Sequence, residues 1–341
     1  MSVDLGFGLI TCQRYPGDQR TDRELYAEAL AVAEDAERLG FDSVWTSEHH
    51  FVDDGYLPSV LPLSAAIAAR TRRVLVGTGL MLAPLHEPLR VAEDAAVVDL
   101  ISGGRLVLGV GLGWRAEEFE ALGVLLRDRV RRLEDSIAVY RQAWSGELVT
   151  GGELLSYPDV PVRPLPARPG GPPIWIGGLT EPAIRRAGRL ADGFMATEVA
   201  PSSLAHQVEL AREAFARAGR EGPFAVAVHL PTFAWHGDDA WELVRRHHWY
   251  ITWKYDDMDE ARHRAGDPPE PPDIDAELDE QLRGQIVMGA PGDVVERVRA
   301  LVEAAGGDLH YIARLYYPGM APDVQREAIR IFAEEVAPAL R

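Results

Sequence analysis

Glu48, His49 and His50, inside the stretch SEHHF, are the clearest candidates for chemistry in this sequence. They follow an apolar run, so we expect them at the end of a β-strand. Neighbouring residues on extended backbone point to opposite sides, and at most one of the two histidines can therefore face a common site. An imidazole beside a carboxylate suits proton transfer, in which Glu48 would orient His49. The alternative is a histidine that only hydrogen-bonds a neighbouring loop.

Other kinds of chemistry find less support. A zinc hydrolase barrel favours a His-x-His motif after its first strand, whereas the first apolar run here ends in GLITCQ. We therefore expect no metal. Lys254 is the only lysine and the one candidate for Schiff-base chemistry. Cys12 is the only cysteine, which excludes an internal disulfide and a cysteine-based metal cluster.

The composition points to a small-molecule partner. The chain of 341 residues has 53 acidic and 35 basic residues and a net charge of -18. This charge disfavours binding to nucleic acid or to an anionic membrane surface. The sequence has neither a signal-peptide pattern nor an apolar run long enough to span a membrane, so we expect a cytoplasmic protein.

The candidate site residues must be positioned by strands and helices. Short apolar runs alternate with amphipathic segments along the chain. This eightfold alternation predicts a single domain over residues 1–341, an α/β protein with a closed (β/α)8 TIM barrel. An open doubly wound sheet is the alternative, but GVGLGW has Trp114 where the third glycine of a dinucleotide fingerprint would fall. The predicted strands cover 5–10, 41–46, 74–80, 106–110, 174–176, 193–196, 224–230 and 309–315. The predicted helices cover 22–39, 58–69, 88–101, 116–144, 181–190, 203–218, 291–305 and 322–336.

Two segments interrupt the alternation and are predicted as insertions after strands 4 and 7. Residues 157–173 contain seven prolines, which predicts a rigid extended connection. Residues 231–283 follow the seventh strand and would form a lid-like insertion, with few regular signals at 263–279. Their aromatic residues would form an apolar wall over the site, or alternatively a helix packed against the barrel or a dimer partner. These residues are Trp241, Trp249, Tyr250, Trp253 and Tyr255.

Glycines mark the ends of three predicted strands. VGTGLML places Gly79 in mid-run, where a side chain would crowd a bound ring, and LGVGLGW ends the fourth strand. In IWIGGLTEP, Gly177 and Gly178 precede a helix with Thr180 as its N-cap. Free backbone N–H groups at a helix start bind anions. Together these features predict a flat ring over three strand ends, with a phosphate group at the fifth.

Over nearly its whole length the sequence resembles the luciferase-like, flavin-dependent oxidoreductases. The resemblance runs through LGFDSVWTSEHHF, RTRRVLVGTGLMLAPLHEPLRVAEDAAVVDLISGGRLVLGVGLGWRAEEFEALGV, PPIWIGGLTEPAIRRAGRLADGF and GAPGDVVERVRALVEAAGGD. It implies a (β/α)8 barrel that binds reduced FMN, or in one branch coenzyme F420, at the carboxyl ends of the strands.

The resemblance also assigns roles to residues. His49 matches a catalytic histidine, Glu48 a carboxylate near the flavin, and the Gly79–Leu80 bond a non-prolyl cis peptide. Leu112 stands where luciferases have a phosphate-binding arginine, so phosphate binding would depend on Arg129 and backbone amides. The implied cofactor-binding residues are Gly8, Thr78, Gly79, Leu80, Gly111, Leu112, Gly113, Trp114, Arg129, Gly177, Gly178, Leu179 and Thr180.

From this resemblance we expect a monooxygenase that uses reduced FMN and O2 to oxygenate a small, fairly apolar organic substrate. A separate flavin reductase would supply the reduced cofactor, and a homo-oligomer, as a dimer, is expected. An F420-dependent dehydrogenase or reductase is the alternative, although the net negative charge disfavours the polyglutamyl tail of that coenzyme. A non-catalytic flavin-binding protein is a third hypothesis, which the retained His49 argues against.

Overall fold

Eight parallel strands close into a barrel in the computed structural model, which describes residues 2–261, 264 and 266–341. The strands pair around the ring in the order β1, β2, β3, β4, β7, β8, β9 and β11, and β11 pairs with β1. This confirms the predicted TIM barrel. The barrel strands are β1 (Ser2–Ile10), β2 (Ser43–Thr46), β3 (Leu75–Thr78), β4 (Leu106–Val110), β7 (Ile174–Gly177), β8 (Gly193–Ala196), β9 (Ala225–Ala234) and β11 (Asp308–Arg314).

Helices cover the outside of the barrel. None of those in the described part of the chain is long and apolar enough to cross a membrane. The helices before β8 are α1 (Asp22–Arg38), α2 (Val60–Arg70), α3 (Pro88–Ser102), α4 (Ala116–Ala121), α5 (Arg129–Ser145) and α6 (Glu181–Leu190). Those after it are α7 (Pro201–Arg217), α8 (Ala240–Ala261), α9 (Ala276–Gly284), α10 (Pro291–Ala304), α11 (Pro322–Ile331) and α12 (Ala337–Leu340).

Three aromatic rings pack among aliphatic side chains inside the barrel. The rings of Trp45 and Trp175 stack at 5.1 Å, and the ring of His310 packs edge-on against both. His310 Nε2 lies 2.6 Å from the Ser43 hydroxyl, and burial lowers the pKa of His310 to about 4. A Cβ atom on Gly77, the β3 neighbour of Trp45, would lie 2.3 Å from the indole ring. Position 77 in the barrel interior therefore requires glycine, because a larger residue would overlap the Trp45 ring.

The first insertion differs from its prediction. Residues 157–161 belong to β6 (Ser156–Pro161), which pairs antiparallel with β5 (Leu148–Gly151) in a hairpin outside the barrel. Asp135 anchors the turn by accepting three backbone N–H bonds, from residues 153–155. Proline is compatible with this strand because each strand of a two-stranded hairpin has an unpaired edge. The extended connection is thus confined to the residues after Pro161.

The predicted helix over 116–144 is wrong, because the chain forms two helices there. α4 ends at Ala121 with Leu122 as its C-cap, and Gly123 adopts the left-handed conformation at φ 70°. The backbone N–H of Val124 donates to the Phe119 carbonyl and closes the turn. Glycine just past a helix end is the usual stop signal. A short 3-10 turn then leads into α5, so that Arg129 begins a new helix.

The second insertion begins later than predicted, because residues 231–234 still belong to β9, and it contains the long helix α8 and the helix α9. A short strand, β10 (Val287–Gly289), follows the insertion and pairs with the end of β9. α9 begins at Ala276, so the end of the segment predicted to lack regular structure is helical. His263, the first residue of the segment 263–279, lies outside the described residues. The short strand was missed because three residues carry no detectable alternation.

We expect Gly77→Ala to destabilise the protein, because the added methyl group meets the enclosed Trp45 ring. Overpacking of a core typically costs about 1–3 kcal/mol. The matched control is Gly292→Ala, since a Cβ atom at this exposed position meets no atom within 4 Å. The midpoint of urea unfolding measures both effects. Equal midpoints for the two variants would contradict this view of the barrel interior.

Candidate functional site

A cavity of about 660 Å³ lies at the carboxyl ends of the barrel strands. Thirteen of the fifteen residues predicted for the site line it, including Glu48, His49 and Arg129. The other two, Gly8 and Thr78, are not part of its lining. The Thr78 hydroxyl donates instead to the Gly109 carbonyl at 2.7 Å inside the barrel wall. The carboxyl ends of the strands carry the active site in barrels of this type.

His49 is positioned by Glu118, which the sequence analysis missed. Nδ1 of His49 lies 3.0 Å from Oε1 of Glu118, and the same oxygen accepts the backbone N–H of His50 at 2.8 Å. A carboxylate only accepts, so Nδ1–H is the donor. Glu118 is completely buried. In the neutral ring this leaves Nε2, which has no partner among the described residues, as the nitrogen available to a ligand.

Glu48 does not orient His49, contrary to the prediction. Its Oε1 accepts hydrogen bonds from Nε2 of His50 and from Nε2 of His86, each at 2.7 Å. Extended backbone places residues 48 and 50 on one side and residue 49 on the other. This explains why Glu48 contacts His50, while His49 contacts Glu118. Burial by itself raises the pKa of Glu48, but the two imidazole hydrogen bonds outweigh it and lower that pKa below its usual value.

Aromatic rings surround His49. Its ring centroid lies 4.9 Å from that of Tyr56, 5.5 Å from that of Tyr255 and 6.3 Å from that of Trp114, in edge-to-face arrangements. The Tyr56 hydroxyl donates to Ser47 Oγ at 3.1 Å. Burial raises the pKa of Tyr56 well above its ordinary value, so its hydroxyl stays protonated. The histidine thus sits in an enclosure that excludes most water.

The start of α6 and Arg129 both line the cavity, and their predicted role in anion binding stays a prediction. Thr180 is the N-cap, and its side chain makes no capping bond. Gly177, Gly178 and Leu179 line the cavity just before it. The Arg129 guanidinium donates through Nη1 to the Leu126 carbonyl at 3.1 Å, which leaves its other N–H groups for a ligand. A helix start and a guanidinium in one cavity fit a phosphate group.

The glycines around this end make room primarily for Leu80. A Cβ atom on Gly177 would lie 2.3 Å from a methyl group of Leu80, and one on Gly111 would lie 2.9 Å from a methyl group of the same side chain. At Gly79, where a side chain was predicted to crowd a bound ring, a Cβ atom would lie 3.2 Å from a methyl group of Leu9, and the crowding of a ring stays a prediction. The Gly79–Leu80 peptide is cis, as the resemblance implies, and so is Gly8–Leu9.

A second polar region of the cavity was not predicted. It contains Arg314 at the end of β11, His229 on β9 and His248 on α8. Burial and the charge of Arg314 lower the pKa of His229 to about 3. The same two causes lower the pKa of His248 to about 4, although its Nε2 atom hydrogen-bonds to the Leu282 carbonyl. The two imidazoles are therefore neutral at physiological pH. No local sequence pattern connects these three residues.

One face of α8 supplies part of the cavity wall. His248, Thr252 and Tyr255 line the cavity, and their spacing of four and three residues places them on one side of the helix. Of the five aromatic residues predicted for the wall, Tyr255 alone is part of the lining. Trp241 and Tyr250 are buried in a separate apolar cluster, as the alternative of a helix packed on the barrel predicts. In the sequence, the helical spacing of His248, Thr252 and Tyr255 could have identified them as residues on one face of the wall.

Arg115 ties α4 to the second insertion. Its guanidinium is fully buried and donates to the carbonyl oxygens of His50 at 2.7 Å and of Met258 at 2.5 Å. The first carbonyl belongs to the segment that carries His49, and the second lies near the end of α8. Because Glu118 lies on α4 as well, this helix positions both the histidine and the insertion.

Two chemical alternatives can now be compared with the geometry. Glu48, His50 and His86 bring one potential metal-ligand atom each within 4.8 Å of one another, although both histidine Nε2 atoms already hydrogen-bond to Oε1 of Glu48. The expectation of no metal therefore stays a prediction. Lys254 is fully buried between the carboxylates of Asp53 and Asp257 and does not line the cavity, which argues against Schiff-base chemistry there.

The strand-end cavity and the sequence motifs agree with a known family. The luciferase-like monooxygenases match residues 5–309. The chain belongs to this family. Members of the family include flavin-dependent monooxygenases and F420-dependent dehydrogenases, so this luciferase-like protein is an oxidoreductase.

Individual relatives cover different shares of this luciferase-like chain. It is 32% identical over 172 residues to the oxygenase component of a flavin-dependent trigonelline monooxygenase from Acinetobacter baylyi, which covers 50% of the chain and 48% of the relative. It is 30% identical over 321 residues to an F420-dependent glucose-6-phosphate dehydrogenase from Microbacterium testaceum, covering 90% and 91%. The crystal structure of the monooxygenase RslO1 from Streptomyces bottropensis superposes with a TM-score of 0.84 at 23% identity, covering 99% and 100%.

We expect the His86–Glu48 pair to make stability depend on pH. Burial alone lowers the pKa of His86, but the hydrogen bond and the charge of Glu48 outweigh it and raise that pKa above 6.5. The stabilisation is therefore complete below the pKa of the unfolded state and is lost as pH rises through the folded-state pKa. The difference in thermal midpoint between the wild type and His86→Gln should be larger at about pH 6 than at about pH 9.

A Glu48→Gln background provides the control for this prediction. Without the carboxylate, His86→Gln should change the midpoint by a similar amount at both pH values. If the effect of His86→Gln on the thermal midpoint were independent of pH in the wild-type background as well, the assignment would be contradicted.

Proposed function

We propose that this chain is the oxygenase component of a two-component monooxygenase that uses reduced FMN and O2. One observation carries the proposal: His49, held by Glu118, lines the same strand-end cavity as the helix start at Thr180 and Arg129. A proton-transfer group and a phosphate-binding end thus belong to one cavity. The likeness to an oxygenase component supports a separate reductase as partner.

The charge of the cavity favours a cofactor with a single phosphate group. Arg129 and Arg314 are the arginines among the described residues that line it, and Arg129 alone accompanies the α6 start. FMN carries one phosphate and no further acidic tail. The polyglutamyl tail of F420 would lie against a protein of net charge -18, which is unfavourable without further cations.

The chemistry divides between the cofactor and this chain's residues. Reduced FMN, when bound, supplies the electrons and activates oxygen. His49 Nε2 accepts or donates the proton that the reacting group loses or gains, while Glu118 holds the ring by its Nδ1–H. Tyr56, Tyr255 and Trp114 enclose the imidazole and keep water from the reaction. The apolar lining suits a small, fairly apolar substrate.

An F420-dependent dehydrogenase is the second candidate function. The observation that favours it is the identity over a nearly full-length match: the glucose-6-phosphate dehydrogenase relative is 30% identical over 90% of the chain, whereas a monooxygenase relative that covers 98% of the chain is 25% identical. Leu112 also departs from the arginine expected for luciferases. In this reaction His49 would exchange the proton of an alcohol or carbonyl group while hydride transfer occurs without oxygen.

The cofactor assignment is tested by titration with FMN, riboflavin and F420 under fixed salt. We expect FMN to bind more tightly than F420, and Arg129→Ala to weaken FMN binding roughly ten- to a hundred-fold, since a charge-assisted hydrogen bond contributes about 1.5–3 kcal/mol. Riboflavin, which lacks the phosphate, should bind both proteins equally. Arg131→Ala is the matched control, because Arg131 is exposed and pairs with Asp128. Tighter binding of F420 than of FMN would favour the second candidate.

His49 should be required for turnover and dispensable for cofactor binding. General acid–base groups usually contribute about 10²- to 10⁴-fold, so His49→Ala should lose at least about 100-fold in turnover while FMN affinity stays within a few-fold. Glu118→Gln keeps an acceptor for Nδ1–H and should lose less. His50→Ala removes a hydrogen bond to Glu48 and should lower stability more than rate. Unchanged turnover in His49→Ala would favour a non-catalytic flavin-binding protein.

A further inference from the structure

Arg314 is a buried cation without a hydrogen-bond or ion-pair partner among the described residues. It is 7% exposed and lines the cavity at the end of β11, beside Gly8 of β1 and Pro231 of β9. Its guanidinium forms no hydrogen bond or ion pair with any described residue, and its enclosed Nε atom has no acceptor. A buried charge without a partner is strongly unfavourable. The fully buried Arg115 nearby likewise has an Nε atom without an acceptor, but its Nη1 and Nη2 atoms donate to two carbonyl oxygens.

The surroundings of Arg314 favour an anionic ligand. Of the described residues that line the cavity, Glu48 is the one carboxylate, and its hydrogen bonds go to His50 and His86. His229 is neutral at physiological pH and adds no competing positive charge, while its ring can still form a hydrogen bond. The guanidinium presents a planar set of N–H groups that matches the two oxygens of a carboxylate.

The barrel order separates Arg314 from the phosphate-binding end. Arg129 follows β4, and the α6 start follows β7. β11 is four strands from β4 and three from β7 around the closed ring, on the opposite side of the rim. The cofactor phosphate and Arg314 therefore occupy different parts of the cavity.

We propose that Arg314 binds a carboxylate group of the substrate, so that the substrate is an organic acid whose remaining part is apolar. This proposal rests on the proposed function of the cavity as an oxidoreductase site. The carboxylate would fix one end of the substrate at β11. Leu230 and Tyr255, which also line the cavity, would contact the apolar part.

The test compares benzoate with benzamide, two probes of similar shape that differ in charge. Calorimetric titration of the full chain without cofactor should give at least about ten-fold tighter binding of benzoate. Arg314→Gln should remove this preference. Arg314→Lys should retain part of it, because it keeps the charge and loses the planar fork. Arg129→Gln, at the other end of the cavity, should keep the full preference.

Each outcome decides the proposal. Equal binding of benzoate and benzamide by the wild type would overturn it even if Arg314→Gln failed to fold. An undiminished benzoate preference in Arg314→Gln would overturn it as well, and a loss of FMN affinity in that variant would then assign Arg314 to the cofactor. Because the benzoate titration contains no cofactor, failure of the wild type to bind FMN or F420 would contradict the proposed function separately.

Discussion

Closure of the eight-stranded ring is the constraint on which the site depends. Once all strands run parallel around a ring, their carboxyl ends meet at one rim, and residues as distant as Glu48 and Arg314 line the same cavity. Leu9 and Met195 belong both to this lining and to the apolar cluster around Trp45 inside the barrel. The packed interior is therefore the floor of the cavity.

Two buried carboxylates organise the rim, and each accepts two N–H hydrogen bonds through its Oε1 atom, although the buried Oε2 atom of Glu118 has no partner among the described residues. Glu118 accepts from His49 and from the backbone of His50, whereas Glu48 accepts from the rings of His50 and His86. The two carboxylates therefore hold adjacent histidines by different contacts. Burial of such groups is tolerated because their hydrogen bonds replace those to water. Arg314 forms no such hydrogen bond with any described residue, which distinguishes it from these two carboxylates.

The sequence predicts those features that local patterns determine. Apolar runs located the barrel strands, and proline with a small-residue N-cap located the start of α6 at Thr180. The break after Leu122 was equally local, since Gly123 is a normal stop signal, and it was overlooked in a long amphipathic pattern. Because side chains on extended backbone point alternately to opposite sides, residues 48–50 also indicated that Glu48 pairs with His50.

Contacts between distant segments could not be predicted in this way. Glu118 lies 69 residues from His49, and in the sequence it is one of several acidic residues on a short helix. Arg314 ends an apolar strand, where an arginine usually reaches solvent. In both cases the role depends on which elements the closed barrel brings together, and neither spacing nor composition carries that information.

The buried Arg115 gives the enzyme a mechanical link between its insertion and its histidine. Moving the end of α8 outward would break the bond from this guanidinium to the Met258 carbonyl and leave a buried cation poorly solvated. The same motion would pull on α4, which holds His49 through Glu118. The position of the end of α8 and the orientation of the imidazole are therefore coupled through Arg115.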